Sequence, residues 1–151
     1  MLCVKRALAV FLLAVVTAPA YAFTFSYGNL FEVKEVKNDG GVLQLPLTRK
    51  KYKNVKILSK ELYGFLRACP SDCTYVQSEI KLETAEYRAA ASRQDMWIAD
   101  VSVNGDILLT CLVFKSKKGF DIKLPEKVHF TDAAFQTRIR KFVEQTAMDN
   151  L

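Results

Sequence analysis

The chain reads as an α+β fold, a mainly antiparallel meandering sheet with a helix after each of two ββα-like halves. Three observations carry that reading. Several segments alternate apolar and polar residues with period two, the mark of strands with one wet face. Two of them meet at residues that tolerate positive φ, Asn38-Asp39-Gly40-Gly41 and Asn104-Gly105. Two stretches with helical apolar spacing each follow a Leu-Pro step and a Ser or Thr suited to capping.

The N-terminus stands outside this pattern. Basic Lys5-Arg6 precede a run of small and apolar residues from Ala7 to Ala18, and Ala20-Tyr21-Ala22 fits the small-x-small rule for leader cleavage. Residues 1–22 therefore read as a secretory signal peptide, too short to span a bilayer, with a mature chain from Phe23 to Leu151. The expected location is periplasmic or extracellular, with no transmembrane segment in the mature chain. Two units follow, 23–73 and 74–151, packed as one compact domain.

Phe23 to Gly28 is an extended lead-in. Leu30 to Lys37 alternates as a strand, Asn38 to Gly41 reverses the chain, and Val42 to Leu47 returns, with Pro46 ending its ladder or placing it on an edge. A basic loop spans Thr48 to Lys53, and Val55 to Leu58 is short and extended. Ser59 caps a helix whose stripe is Leu62, Phe65, Leu66 and Cys69; Gly64 weakens it and Pro70 stops it. Val76, Ile80 and Leu82 alternate with charged residues as a half-exposed strand. The pattern does not decide the structure of 85–94. Trp97, Ala99, Val101 and Val103 share a face, and Asn104-Gly105 closes a hairpin. Ile107 to Phe114 is apolar on both faces apart from Thr110, which predicts a central strand covered on both sides. Phe120, Ile122 and Leu124 point inward before Pro125. Thr131 and Asp132 open the last helix, whose buried stripe is Phe135, Ile139, Phe142 and Val143.

Gly41 to Leu66 and Gly119 to Val143 share one plan: Leu45-Pro46 matches Leu124-Pro125, Val55 to Ile57 matches Val128 to Phe130, and Ser59 matches Thr131. Either the two halves are related, or common parts happen to align.

The chain has 22 basic and 16 acidic residues, and losing Lys5 and Arg6 leaves an excess of +4. Cations cluster at Arg49, Lys50, Lys51 and Lys53, with Tyr52 placed to stack; at Lys115, Lys117 and Lys118; at Lys127; and at Arg138, Arg140 and Lys141. These are the candidates for an anionic polymer or nucleic acid. Cys69 and Cys73 can close a small loop or remain reduced, and Cys111 reads as a small buried hydrophobe. The three cysteines that remain once the leader with Cys3 is gone, together with His129, lack paired zinc-ligand spacing, so no metal and no cofactor are expected. His129, beside Phe130, reads as a structural histidine. With no nucleophile elbow, metalloprotease motif or phosphate loop, the sequence points away from an enzyme.

Ile98 to Ile107, the strand through Phe114, the Lys-Lys-Gly turn, Phe120 to Pro125 with Lys127, and the terminal helix together resemble the SpoVG-type septation-regulator family. The resemblance covers roughly residues 76–146, with a weaker echo in 41–67 that includes Tyr52-Lys53-Asn54-Val55. It implies a small meandering sheet ending in a helix, nucleic-acid binding through basic loops and the C-terminal helix, and a homodimer. Export changes the partners within reach. The expected role is an exported, non-enzymatic binding or assembly module of SpoVG-like fold, acting on a protein or anionic polymer through sheet edges or basic loops; the alternative is a nucleic-acid-binding regulator of that type.

Overall fold

The computed structural model describes residues 19–47, 54–90 and 93–151, with backbone only for Thr84 and Ala85. The leader through Ala18 and the basic loop with Arg49, Lys50, Lys51, Tyr52 and Lys53 lie outside the described residues. The fold is α+β: among the described residues there are ten strands in two sheets and two helices. The strands are β1 (Tyr21–Tyr27), β2 (Phe31–Asp39), β3 (Val42–Gln44), β4 (Val55–Ile57), β5 (Cys73–Tyr75), β6 (Leu82–Ala89), β7 (Met96–Val103), β8 (Ile107–Ser116), β9 (Gly119–Lys123) and β10 (Val128–Phe130); α1 is Lys60–Ala68 and α2 is Ala133–Asn150.

One sheet has the order β10-β2-β1-β5, with β3 also on β2; the other has the order β4-β8-β7-β6, with β9 also on β8. All pairs are antiparallel except β1 with β5. Two strands cross between the halves. β4, from the first half, pairs with the start of β8 (Val55↔Leu109, Ile57↔Ile107), and β10, from the second, pairs with the start of β2 (Val128↔Val33, Phe130↔Phe31). The exchange is reciprocal down to single bonds. Leu58 and Ser59 both donate their N–H to the Asp106 carbonyl, and Thr131 and Asp132 both donate theirs to the Leu30 carbonyl. Asp106 and Leu30 each stand just before the strand that receives the visitor.

The preceding turns match too. Leu30 N–H bonds the Tyr27 carbonyl at 3.1 Å, and Asp106 N–H bonds the Val103 carbonyl at 3.0 Å. The residue opening each turn is left-handed: Gly28 at φ +54° and Asn104 at φ +55°. Asparagine is among the few side-chain-bearing residues that adopt this region readily. In this register Ser59 corresponds to Asp132 rather than to Thr131. Ser59 Oγ accepts from Leu62 N–H, and Asp132 Oδ1 accepts from Ala134 and Phe135 N–H. These bonds satisfy first-turn amides that have no partner within the helix.

The halves share one core. Phe31, fully buried, stacks on Tyr27 at 5.2 Å and lies 5.9 Å from Phe135 and 6.1 Å from Phe130. Leu62 and Leu66 of α1 and Phe135, Ile139, Val143 and Ala147 of α2 supply the helical stripes. In β2, strict alternation would turn Glu35 inward, but Glu35 at φ +60° forms a bulge. Val33 and Val36 therefore both face the core, opposite Phe25 and Phe23.

Several sequence expectations change. The lead-in is the core strand β1, which begins at Tyr21, two residues ahead of the expected Phe23 start. Val76 to Lys81 is not a strand: Val76 is exposed, and the following segment wraps the β7–β8 turn because the Asn104 side chain binds Lys81 N–H and the Glu79 carbonyl. The strand is β6 instead, covering much of the undecided stretch and pairing with β7 along its length. The boundary between residues 73 and 74 falls inside β5, which joins the first sheet. Residue His129 is exposed on the outer face of that sheet, paired with Glu32. Finally, β8 is central, but its described helical cover is on one face only.

Candidate functional site

The two sheets differ in what they show on their outer faces. On the first, Thr24, Ser26, Glu32, Lys34, Thr74 and His129 point away from the core, an ordinary wet surface. On the second, the registers set out four rows. Glu83, Ser102, Leu108 and Lys56 form the first; Glu86, Asp100 and Thr110 the second; Arg88, Ile98, Leu112 and Lys123 the third; Met96, Phe114 and Asp121 the fourth. Leu108, Leu112 and Phe114 are half-buried and Met96 and Ile98 are buried, and all five stand apart from the core cluster.

Among the described residues, α2 lies on the opposite face. Tyr87, paired with inward-facing Ala99, donates its hydroxyl to the Val143 carbonyl at 2.8 Å. α1 packs against β3 and β5 of the first sheet. The polar groups within the apolar face are satisfied. Arg88 reaches Asp100 at 2.9 Å, and Thr110 donates to the other oxygen of that carboxylate at 2.8 Å. Burial of a carboxylate is tolerated when it is paired in this way. Arg93 and Lys123 sit 5.1 Å from the Phe114 ring centre, cation–π contacts at the rim.

The predicted basic residues fall on separate elements. Lys115 is the last residue but one of β8, ahead of Lys117 and Lys118 in the exposed β8–β9 turn, Lys127 lies in the β9–β10 crossover, and Lys141 is on the exposed side of α2. Arg138 and Arg140 are engaged with the fold: their guanidinium groups donate to the carbonyls of Ile80, in the segment before β6, and Ile122, in β9. Sequence spacing put them on the helix surface; it carried no sign of the carbonyls within reach.

Cys69 and Cys73 are joined as a disulfide, linking the C-cap of α1 to β5. Cys111 is free and buried in β8, and burial pushes its thiol up to about 12. A thiol held protonated in this way is a poor nucleophile. Tyr27 is the most perturbed tyrosine. Burial, then its bond to Asp106, raises its phenol well above the usual range; it donates to Asp106 at 2.8 Å and accepts from Asn104 at 3.0 Å. This triad, with Tyr27 and Asp106 buried and Asn104 half-buried, joins the two equivalent turns. A cavity of about 450 Å³ opens beside Tyr27, Leu30, Thr74 and Gln77. Its one titratable lining group, Tyr27, already has both hydroxyl roles occupied. Among the described residues no cluster of His, Cys, Asp and Glu has the makings of a metal site, and no helix is long and apolar enough to cross a membrane.

No protein-family model matches the chain, and neither the curated proteins nor the solved structures contain a match. The surface chemistry alone therefore carries the functional reading. The outer face of this sheet bears most on it: Leu108, Leu112 and Phe114 are half-buried, Met96 and Ile98 are buried, and Asp100 and Thr110 supply paired polar groups within the same face.

Proposed function

We propose that the protein is an exported, non-enzymatic assembly module that pairs with a second copy of itself through the outer face of the β4-β8-β7-β6 sheet. The observation behind this reading is the charge layout around the apolar rows. Glu83 sits on the β6 edge and Lys56 on the β4 edge of the same row. A twofold axis parallel to the strands carries each edge over the other, so Glu83 of one copy opposes Lys56 of its partner. In the third row Arg88, held by its own Asp100, comes over Lys123 of the second copy, with Asp121 one row further on. Leu108, Leu112 and Phe114 then interdigitate as sheets do when packed face to face. Such a contact is isologous, as a closed dimer requires. The disulfide and the leader-like N-terminus support an oxidising compartment. The homodimer that the septation-regulator resemblance implies agrees with this reading. Its nucleic-acid role is less well supported, since Arg138 and Arg140 already bind carbonyls.

The test is the mass of the protein in solution. Sedimentation of the oxidised chain should give a dimer, and Leu112→Glu should give a folded monomer with unchanged circular dichroism. Lys56→Glu should weaken the dimer, and adding Glu83→Lys should restore it. A monomer at all concentrations, or a dimer indifferent to Leu112→Glu, rules the surface out. Salt-sensitive DNA or RNA binding by the monomeric variant would favour the nucleic-acid reading.

A further inference from the structure

We propose that the leader is removed between Ala20 and Tyr21, so that the mature chain starts on the first residue of β1. This rests on the export reading above and adds the bond that is cut. At the end of the apolar run two positions satisfy the small-x-small rule, Ala18-Pro19-Ala20 and Ala20-Tyr21-Ala22. The rule does not rank them; the fold does.

A cut after Ala22 discards two paired residues, since Tyr21 lies opposite Asn38 and Ala22 opposite Lys37. It also removes a junction. The Tyr21 hydroxyl donates to the carbonyl of Cys69, the C-cap of α1 and one half of the disulfide. The same hydroxyl accepts from Asn38 Nδ2 at 3.1 Å, and its ring lies 5.9 Å from that of Phe23. Asn38 is only 5% exposed. Its side chain also binds the Arg67 carbonyl at 3.1 Å and Gly41 N–H at 2.9 Å, so it ties the β2–β3 turn to the end of α1. Without Tyr21, the Cys69 carbonyl loses this donor, and a buried amide loses one of its acceptors. Unmade buried hydrogen bonds carry the full desolvation penalty.

Among the described residues, a cut after Ala20 discards only Pro19 and Ala20, neither of which is in a strand. Pro19 and Ala20 are exposed and precede the first strand. The step is hydrolysis by a leader peptidase. Water attacks the Ala20 carbonyl, the C–N bond to Tyr21 breaks, Ala20 leaves with a carboxyl group, and Tyr21 keeps a free amine.

Intact-mass measurement of the protein recovered from the exported fraction is expected to give a chain beginning at Tyr21. A chain beginning at Phe23 overturns the assignment while leaving export intact; a chain retaining Met1 overturns export, and this cut with it. A second measurement does not depend on export. Chains made to begin at Tyr21 and at Phe23, together with Tyr21→Phe in the longer chain, are unfolded in urea. The Phe23 chain should lose about tenfold or more in its folding equilibrium constant, and Tyr21→Phe should account for a good part of that loss. Equal stability of the two chains removes the structural basis of the proposal.

Discussion

Phe31 offers the sharpest check on whether the two halves fold as one body. It belongs to β2, is fully buried, and touches rings from both halves: Tyr27 on its own side, and Phe130 and Phe135 from the C-terminal side. Phe31→Ala should cost about 3–5 kcal/mol through lost burial and the cavity left behind. Phe135→Ala, at a site 4% exposed, should fall in the same range. The Phe31 and Phe135 planes lie 13° apart with centres 5.9 Å apart, so the double variant should fall short of additivity by about 1 kcal/mol. Since single losses of this size approach the whole stability of many domains, the cycle is best run with Phe31→Leu and Phe135→Leu beside the alanine variants. Urea unfolding followed by both tryptophan fluorescence and circular dichroism should show one transition with an unchanged slope. Additive losses, or a first transition in which only one half melts, would refute the claim that the exchanged strands make a single cooperative unit.

Four further outcomes are expected. Reducing the Cys69–Cys73 disulfide, whose partners are four residues apart, should cost about 2 kcal/mol by the chain-entropy account, seen as a fall of several degrees in the melting midpoint with reductant; an unchanged midpoint counts against the bond. Tyr27 is protonated in the fold and its phenol is raised by burial, so its contribution is complete below its ordinary value of 10.0 and declines as pH rises beyond that, where the unfolded chain sheds the proton first. Tyr27→Phe should flatten this alkaline loss in pH-dependent unfolding, and a curve as steep as the parent's would contradict the assignment. Asn104→Ala removes bonds to Lys81, Glu79 and Tyr27 and forces alanine to φ +55°; it should cost about 3 kcal/mol, and Asn104→Gly, which keeps the backbone at ease, less. Arg140→Lys should destabilise α2 docking by about 1 kcal/mol without altering any affinity for polyanions, whereas a selective loss of polyanion binding would return Arg140 to the surface-ligand role its spacing suggests.

The parts of the fold written in local chemistry were legible in the sequence. Ser59 and Asp132 announce their helices, Asn104-Gly105 announces its turn, and the inward stripe of Trp97, Ala99, Val101 and Val103 follows from alternation alone. What was not legible depends on partners far away in the chain. Nothing in Val55-Lys56-Ile57 says that it pairs with β8 rather than with its neighbour β3, because three residues carry too little pattern to choose a ladder. The alternating residues from Val76 to Leu82 gave a false strand because Asn104, more than twenty positions away, claims their backbone. The outer face is ambiguous for a related reason: apolar residues on both sides of a strand are compatible with a covering layer within the chain and with one supplied from outside. Arg138 and Arg140 looked free because carbonyl acceptors leave no trace in the sequence around a cation.

The strand exchange also sets an order of events for a chain that emerges N-terminus first. The start of β2 is made early, yet the strand that covers it is β10, and the neighbouring bond from Thr131 to the Asn29 carbonyl closes across 102 positions. Until almost the whole chain is out, an apolar segment with Phe31 and Val33 waits with unmet amides along one side, a template for the wrong neighbour. The long-range closure makes the final step slow. Every molecule must therefore pass through an interval in which a chaperone, or another unfinished copy, can reach that edge before its own C-terminus does.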